Sequence, residues 1–192
     1  MQITAAIVPE AGAAFAIESV EIEQPREGEV LVEIAGVGLC HTDLVFRDAF
    51  VPIPFPIVLG HEGAGIVRAV GAGVSSVQAG DAVVIGFSSC GHCARCDQQL
   101  PSYCRDFVPL NYAGARGDGS TALSMNGAPV ASHFFGQSSF ASHAITLERN
   151  VVKVDAAGLE LAHLGPLACG LQTGAGSVMR SFDCRAGSTI AV

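Results

Sequence analysis

Four closely spaced cysteines constrain the fold of this 192-residue chain more than any other feature. Cys90, Cys93, Cys96 and Cys104 are separated by two, two and seven residues, in a stretch without strand or helix periodicity. A tetrahedral thiolate cage needs sulfurs at about 2.3 Å from one ion, and short spacings let the backbone curl to supply them. The spacing therefore predicts a structural zinc in a lobe that spans about residues 88–106.

A second, scattered set of residues has the composition of a catalytic zinc site. Cys40, His61 and Cys169 offer three ligands, and Glu62 follows the histidine directly. Such a site keeps one position open for water or substrate. The glycines around His61 permit unusual backbone angles that can bring the imidazole to a metal. Asp43 offers a carboxylate that can accept the free imidazole proton.

Taken singly, these residues also have ordinary structural explanations. Cys40 can be a buried apolar residue, Thr42 and Asp43 can cap a helix, and a lone histidine is more often structural. Cys169 follows Pro166 by three residues, at the start of a predicted helix whose dipole favours a thiolate. The catalytic interpretation depends on the whole set occurring in one chain.

Composition and charge exclude several classes of partner. Lys and Arg number 10 against 18 Asp and Glu, a formal charge of −8, and no basic cluster suggests a nucleic-acid or anionic-membrane surface. No signal sequence and no apolar run of the ~18 residues needed for a membrane span is found, so we expect a cytoplasmic location. Seven cysteines, an odd number in tight clusters, argue against a disulfide-bonded secreted protein.

The residue pattern predicts a mainly β domain with a helix near its end. A short helix is expected over 40–47, and Pro166 is expected to open a longer one with Leu167, Leu171, Gly174 and Val178 on one face. Residues 111–129 are predicted to be mostly loop. Runs rich in β-branched residues, punctuated by Gly and Pro, predict strands at 3–8, 15–22, 30–37, 65–70, 81–87 and 140–147.

Together these motifs resemble the zinc-dependent alcohol dehydrogenases of the medium-chain dehydrogenase/reductase superfamily. Segments 39–45, 134–140 and 171–178 look most like those of aryl-alcohol (benzyl alcohol) dehydrogenases. The resemblance implies a GroES-like, partly open β-barrel that carries the zinc lobe and a C-terminal helix. The motifs that carry it, in the family's order, are Cys40-His41-Thr42-Asp43, Gly60-His61-Glu62 with its following glycines, the four-cysteine lobe and Leu167-Ala168-Cys169-Gly170.

The resemblance implies two zinc ions per full-length subunit, one structural and one catalytic. Cys40, His61 and Cys169 would hold the catalytic zinc. Glu62 would be the nearby acid that exchanges with bound water, and Asp43 would orient His61. The substrate would be a primary alcohol, with an aromatic one favoured, and NAD would accept the hydride.

The remaining functional positions also follow from the resemblance. Thr42 would take the alcohol proton, His41 would contact the cofactor pyrophosphate, and Thr173 would lie beside the nicotinamide. Phe87 and Phe140 match positions that line the substrate pocket, although an ordinary core aromatic is about as good an explanation for each. Where some relatives continue the proton relay with a histidine, this chain has Val45.

Residues 186–192 look like the entry into the first strand of a nucleotide-binding domain, but the sequence stops before any Gly-x-Gly-x-x-Gly turn. We therefore interpret residues 1–185 as the catalytic domain of a longer enzyme. The full-length enzyme would be a homo-oligomer, a dimer or tetramer. We expect Cys169 to shift out of range in this chain, so that the catalytic zinc is only partly occupied, and we expect no dehydrogenase activity from the chain alone. The alternative function is a zinc-binding structural or interaction module without catalysis.

Overall fold

The computed structural model describes residues 1–156 and 158–191. None of the helices in these ranges is long and apolar enough to cross a membrane. The strands are β1 (Gln2–Val8), β2 (Ala16–Ile22), β3 (Glu29–Val37), β4 (Ile57–Val58), β5 (Gly63–Val70), β6 (Ala82–Ile85), β7 (Leu123–Met125), β8 (Ala128–Val130), β9 (His143–Leu147) and β10 (Val151–Lys153). The α-helices are α1 (His41–Arg47), α2 (Ala94–Asp97), α3 (Phe107–Tyr112) and α4 (Gly170–Gly176). Further 3₁₀ segments span 101–103, 134–136, 148–150 and 161–168, and a π-helical turn spans 177–181.

The strands form two five-stranded antiparallel sheets, ordered β4-β1-β2-β7-β8 and β10-β6-β5-β3-β9. A bridge between Ile57 and Ala131 brings the two edges of the first sheet together. A second bridge, between Ala5 and Ala141, joins the first sheet to the segment that leads into β9. The sheets therefore curl into a partly open barrel, which confirms the predicted fold class. The main core lies inside it and contains Ile3, Ile7, Val20, Ile22, Leu31, Val58, Leu123 and Ile145.

All six predicted strands are present, but the loop predicted over 111–129 is partly wrong. Strands β7 and β8 pair as a hairpin that begins inside it. Asn126 (φ 52°) and Gly127 (φ 79°) both adopt the left-handed conformation at the hairpin turn. Asn-Gly is the dipeptide that favours such a turn, so the sequence did contain the signal for this hairpin.

The helix predicted from Pro166 is present but begins later than predicted, at Gly170. Pro166 lies within the 3₁₀ segment Leu161–Ala168, the chain kinks at Cys169 (φ −139°, ψ −76°), and α4 begins at Gly170. Pro166 has no backbone N–H and cannot donate a hydrogen bond within this segment. Leu167 is therefore not part of the helix that carries Leu171.

Part of the C-terminal segment lies outside the residues that the structure describes. Residues 186–191 form a turn and irregular backbone without a strand. Val192, the last residue of the predicted entry into a further domain, lies outside the described residues.

Candidate active site and metal centres

The four-cysteine lobe projects from the end of β6 and is fastened to the barrel at its base. Ser88 donates its backbone N–H to Asn111 Oδ1 (2.8 Å), and Asn111 Nδ2 donates to the Ser88 carbonyl oxygen (2.9 Å). Asn111 belongs to α3 and is fully buried. Because a buried carboxamide has a large cost when its partners are lost, this pair fixes where the lobe begins.

The four lobe sulfurs converge as a tetrahedral metal site requires. Cys96 Sγ lies 3.9 Å from Cys90 Sγ and 3.6 Å from Cys93 Sγ, and all four ligand atoms lie within 4.8 Å of one another. Sulfurs bound to one zinc are about 3.8 Å apart, given Zn–S bonds of about 2.3 Å. Backbone hydrogen bonds, from Arg105 first and then from Cys96, lower the pKa of the Cys93 thiol to about 6. For Cys90, a backbone hydrogen bond from His92 lowers the pKa, but burial and the neighbouring Cys104 and Cys93 thiols outweigh it and raise that pKa to about 11. A bound cation would favour the thiolate at every one of these positions, because coordination deprotonates a thiol.

The second group is built around the imidazole of His61. Asp43, from α1, places Oδ1 3.0 Å from His61 Nδ1 and accepts the Gly60 backbone N–H with the same oxygen (3.1 Å). With Nδ1 assigned as the donor to Asp43, the other ring nitrogen carries a lone pair. That atom, Nε2, is buried and has no hydrogen-bond partner. Burial disfavours charging of the ring, but the Asp43 carboxylate outweighs it and raises the pKa of His61.

Two cysteine sulfurs face this nitrogen. Cys40 Sγ lies 4.0 Å from Cys169 Sγ, and ligand atoms of Cys40, His61, Glu62 and Cys169 all lie within 4.8 Å of one another. An unpartnered buried imidazole nitrogen beside two sulfurs at tetrahedral spacing fits a zinc ion. The structure therefore does not bear out the expected shift of Cys169 out of range.

The predicted effect of the helix start on the Cys169 thiol is wrong. Burial, and then the neighbouring Cys40, raises the pKa of the Cys169 thiol to about 12. The α4 helix that follows Cys169 is only seven residues long. A bound cation would reverse this preference, because coordination deprotonates a thiol. For Cys40, burial opposes ionisation, but hydrogen bonds from Thr42 and then the charge on His61 lower the pKa.

Glu62 connects the histidine turn to the segment that carries Cys169. Its Oε1 accepts the Gly170 backbone N–H (3.1 Å), and the residue is buried. Its carboxylate packs so closely on Gly38 that a Cβ there would lie 1.9 Å from Oε2. A side chain at position 38 would therefore displace the Glu62 carboxylate, which bonds to the backbone next to Cys169.

A cavity of about 600 Å³ opens onto the second site. Phe135 stacks on His61 with ring centroids 4.7 Å apart, and Phe87 packs on Phe107 at 5.5 Å. Aromatic side chains thus form part of the cavity wall, and polar side chains such as Gln99, Gln172 and Arg180 form another part. Its lining includes His61, Phe87, Phe107, Phe135, Cys169 and Thr173.

Other predicted residues lie around this cavity or away from it. Thr42 contacts the Cys40 sulfur, whereas His41 is exposed at the first turn of α1. Phe140 lines a separate apolar cavity of about 410 Å³ and packs edge-on against Phe15. Phe135, and not Phe140, therefore lines the cavity at His61, while the pocket role predicted for Phe140 stays a prediction. Phe135 has φ 49°, and its neighbours in sequence gave no signal of that backbone conformation.

The chain belongs to the alcohol dehydrogenase GroES-like domain family, whose model matches residues 26–156. This match confirms the family and the GroES-like fold that the motifs predicted. Geraniol dehydrogenase from Castellaniella defragrans is 53% identical over 190 residues, which are 98% of this chain and 50% of that protein.

Solved structures agree with this assignment. An alcohol dehydrogenase zinc-binding domain protein from Burkholderia ambifaria is 52% identical, with a TM-score of 0.95 over 98% of this chain and 51% of that one. Benzyl alcohol dehydrogenase from Acinetobacter calcoaceticus is 45% identical, with a TM-score of 0.89 over 94% of this chain and 48% of that one. The chain spans about half the length of these relatives.

Proposed function

We propose that this chain is the catalytic part of a zinc-dependent, NAD-linked dehydrogenase that oxidises primary aromatic alcohols to aldehydes. The observation that carries the proposal is the convergence of Cys40, His61 and Cys169 at the wall of a partly aromatic cavity. A zinc-binding structural module has no need for a second ligand set that opens onto a cavity. The similarity to geraniol and benzyl alcohol dehydrogenases supports an unsaturated alcohol as substrate.

Each residue of the second site has a separate role in the proposed reaction. Cys40, His61 and Cys169 would hold zinc, which supplies Lewis acidity that lowers the pKa of an alcohol hydroxyl. Asp43 keeps His61 in the tautomer that presents Nε2 to the site. Thr42, in contact with Cys40, would accept the hydroxyl proton of the substrate and pass its own hydroxyl proton to water or to the exposed imidazole of His41.

The aromatic wall and the cofactor complete the reaction. Phe87, Phe107 and Phe135 would hold the substrate ring and exclude water, and NAD would supply the hydride acceptor. Thr173 lines the same cavity and would lie beside the nicotinamide, and His41 would contact the pyrophosphate. The chain alone is expected to reduce no NAD. The cytoplasmic location and the dimeric or tetrameric state implied by the resemblance stay predictions.

The full-length protein is expected to oxidise benzyl alcohol with NAD at a kcat/KM roughly 10- to 100-fold above that for ethanol, because burial of a six-carbon ring contributes about 1.5–3 kcal/mol. The measurement is NADH formation with benzyl alcohol, cyclohexylmethanol, geraniol and ethanol. Cyclohexylmethanol controls for size without aromaticity. A preference for ethanol would contradict the proposal. A preference for geraniol or cyclohexylmethanol would support an apolar substrate pocket but would contradict the assignment of an aromatic substrate.

A further inference from the structure

The segment from Phe134 to Ser138 makes an unusual turn beside the histidine. Phe135, Gly136 and Ser138 all have positive φ, at 49°, 70° and 55°. Just after this turn two consecutive backbone N–H groups donate to the segment that precedes His61. The two bonds are Ser139 N–H to the Gly60 carbonyl oxygen (3.0 Å) and Phe140 N–H to the Leu59 carbonyl oxygen (3.0 Å).

The side chain of Gln137 continues this pairing where the backbone turns away. Its Nε2 donates to the His61 carbonyl oxygen (2.9 Å), and its Oε1 accepts the Gly63 backbone N–H (3.0 Å). A carboxamide offers the same donor and acceptor as a peptide group, so it can replace the missing strand neighbour. These two hydrogen bonds hold the backbone on both sides of Glu62, at His61 and at Gly63.

The same carboxamide also reaches the strand that leads to the zinc lobe. Gln137 Nε2 donates to the carbonyl oxygen of Ile85, the last residue of β6 (2.9 Å). Gln137 is 2% exposed, and a Cβ on Gly63 would lie only 2.9 Å from its Oε1. A fourth, longer hydrogen bond joins Gln137 Nε2 to the Gly86 carbonyl oxygen (3.5 Å). The group is thus enclosed, and water cannot readily take over its hydrogen bonds.

We propose that Gln137 is a positioning residue that fixes the turn bearing His61 and Glu62, and so sets the geometry of the second metal site. This proposal rests on one part of the proposed function, namely that the second site binds a metal. Partners that orient metal ligands commonly contribute 10- to 100-fold to metal affinity. Gln137 acts one step further away, through the backbone of the ligand residue, so we expect roughly a tenfold effect.

The test compares Gln137→Met with Ser138→Ala. Methionine keeps the length of the side chain but removes the donor and the acceptor. Ser138 is equally buried in the same turn and bonds to the Val58 carbonyl oxygen (2.6 Å) and the Phe134 N–H (3.0 Å), with no bond to His61 or Gly63. Competition with a chelator gives two zinc affinities, one for each site, and the lobe serves as the internal control.

Gln137→Met is expected to weaken zinc at the second site roughly tenfold and to leave the lobe affinity unchanged, whereas Ser138→Ala leaves both unchanged. Equal affinities in Gln137→Met and the unsubstituted protein would overturn the proposal, and so would an equal loss at both sites, which indicates general destabilisation. If the unsubstituted protein bound only the lobe zinc, the proposed function would fail. Amide hydrogen exchange at Gly63 would still decide on Gln137: faster exchange in Gln137→Met than in Ser138→Ala supports the role, and equal exchange overturns it.

Discussion

Substitution of Cys93 by serine is expected to remove one equivalent of zinc and to loosen residues 88–106. Cys93 is one of four sulfurs that lie within 4.8 Å of one another, and a closed cage cannot be completed by a serine hydroxyl. Closed thiolate sites contribute folding free energy on the order of 10 kcal/mol in small zinc modules. Metal analysis after gel filtration and hydrogen exchange over 88–106 measure the two effects.

Cys184→Ser is the matched control for this substitution. Cys184 is a half-buried cysteine that belongs to neither ligand group. The control should keep its zinc and its protection from exchange in the lobe. An unchanged zinc content in Cys93→Ser, or an equal loss in Cys184→Ser, would show that the lobe is not a four-thiolate zinc site.

Substitution of Thr42 by alanine in the full-length protein is expected to lower kcat for benzyl alcohol by about 10²- to 10⁴-fold, the usual contribution of a positioned proton acceptor. The zinc content should stay the same, because Thr42 contacts the Cys40 sulfur without being one of the clustered ligands. Steady-state NADH formation and metal analysis are the measurements.

Thr42→Ser keeps the hydroxyl and is expected to retain most of the turnover. Val45, on the same helix, has no ionisable atom with which to continue the relay from Thr42. Full turnover in Thr42→Ala would contradict the proton-transfer role. Loss of zinc in that variant would instead assign Thr42 to the stability of the metal site.

Much of the fold could be predicted because its signals are local. Strands such as β1 and β3 are rich in β-branched residues and are bounded by Gly or Pro. The spacing of Cys90 to Cys104 indicated one compact site, since ligands close in sequence can only converge nearby. The hairpin at Asn126 and Gly127 also had a local signal, and only its interpretation as loop was wrong.

The second site could be predicted only in part, because its parts are distant in sequence. Motif order suggested Cys40, His61 and Cys169 together, whereas residue types alone left each with a structural explanation. The pocket aromatics depend on backbone angles that sequence does not reveal: φ 49° at Phe135 turns that ring onto His61, and Phe140 faces another cavity.

No local pattern of residue types indicated the position or the role of the Gln137 side chain. Its bonds join residues 52 to 76 positions apart, and a glutamine in a Gly- and Ser-containing segment reads as an exposed turn residue. The kink at Cys169 also depends on tertiary context, because the chain must turn there for the sulfur to face Cys40.

The central claim is that Cys40, His61 and Cys169 hold the zinc at which an alcohol is oxidised. The measurement is zinc content together with benzyl alcohol oxidation for the full-length protein, Cys169→Ala and Cys184→Ser. We predict two zinc ions per chain and full activity in the unsubstituted protein and in Cys184→Ser, and one zinc with no detectable NADH formation in Cys169→Ala. A Cys169→Ala variant that keeps two zinc ions and oxidises benzyl alcohol at the original rate would contradict the account.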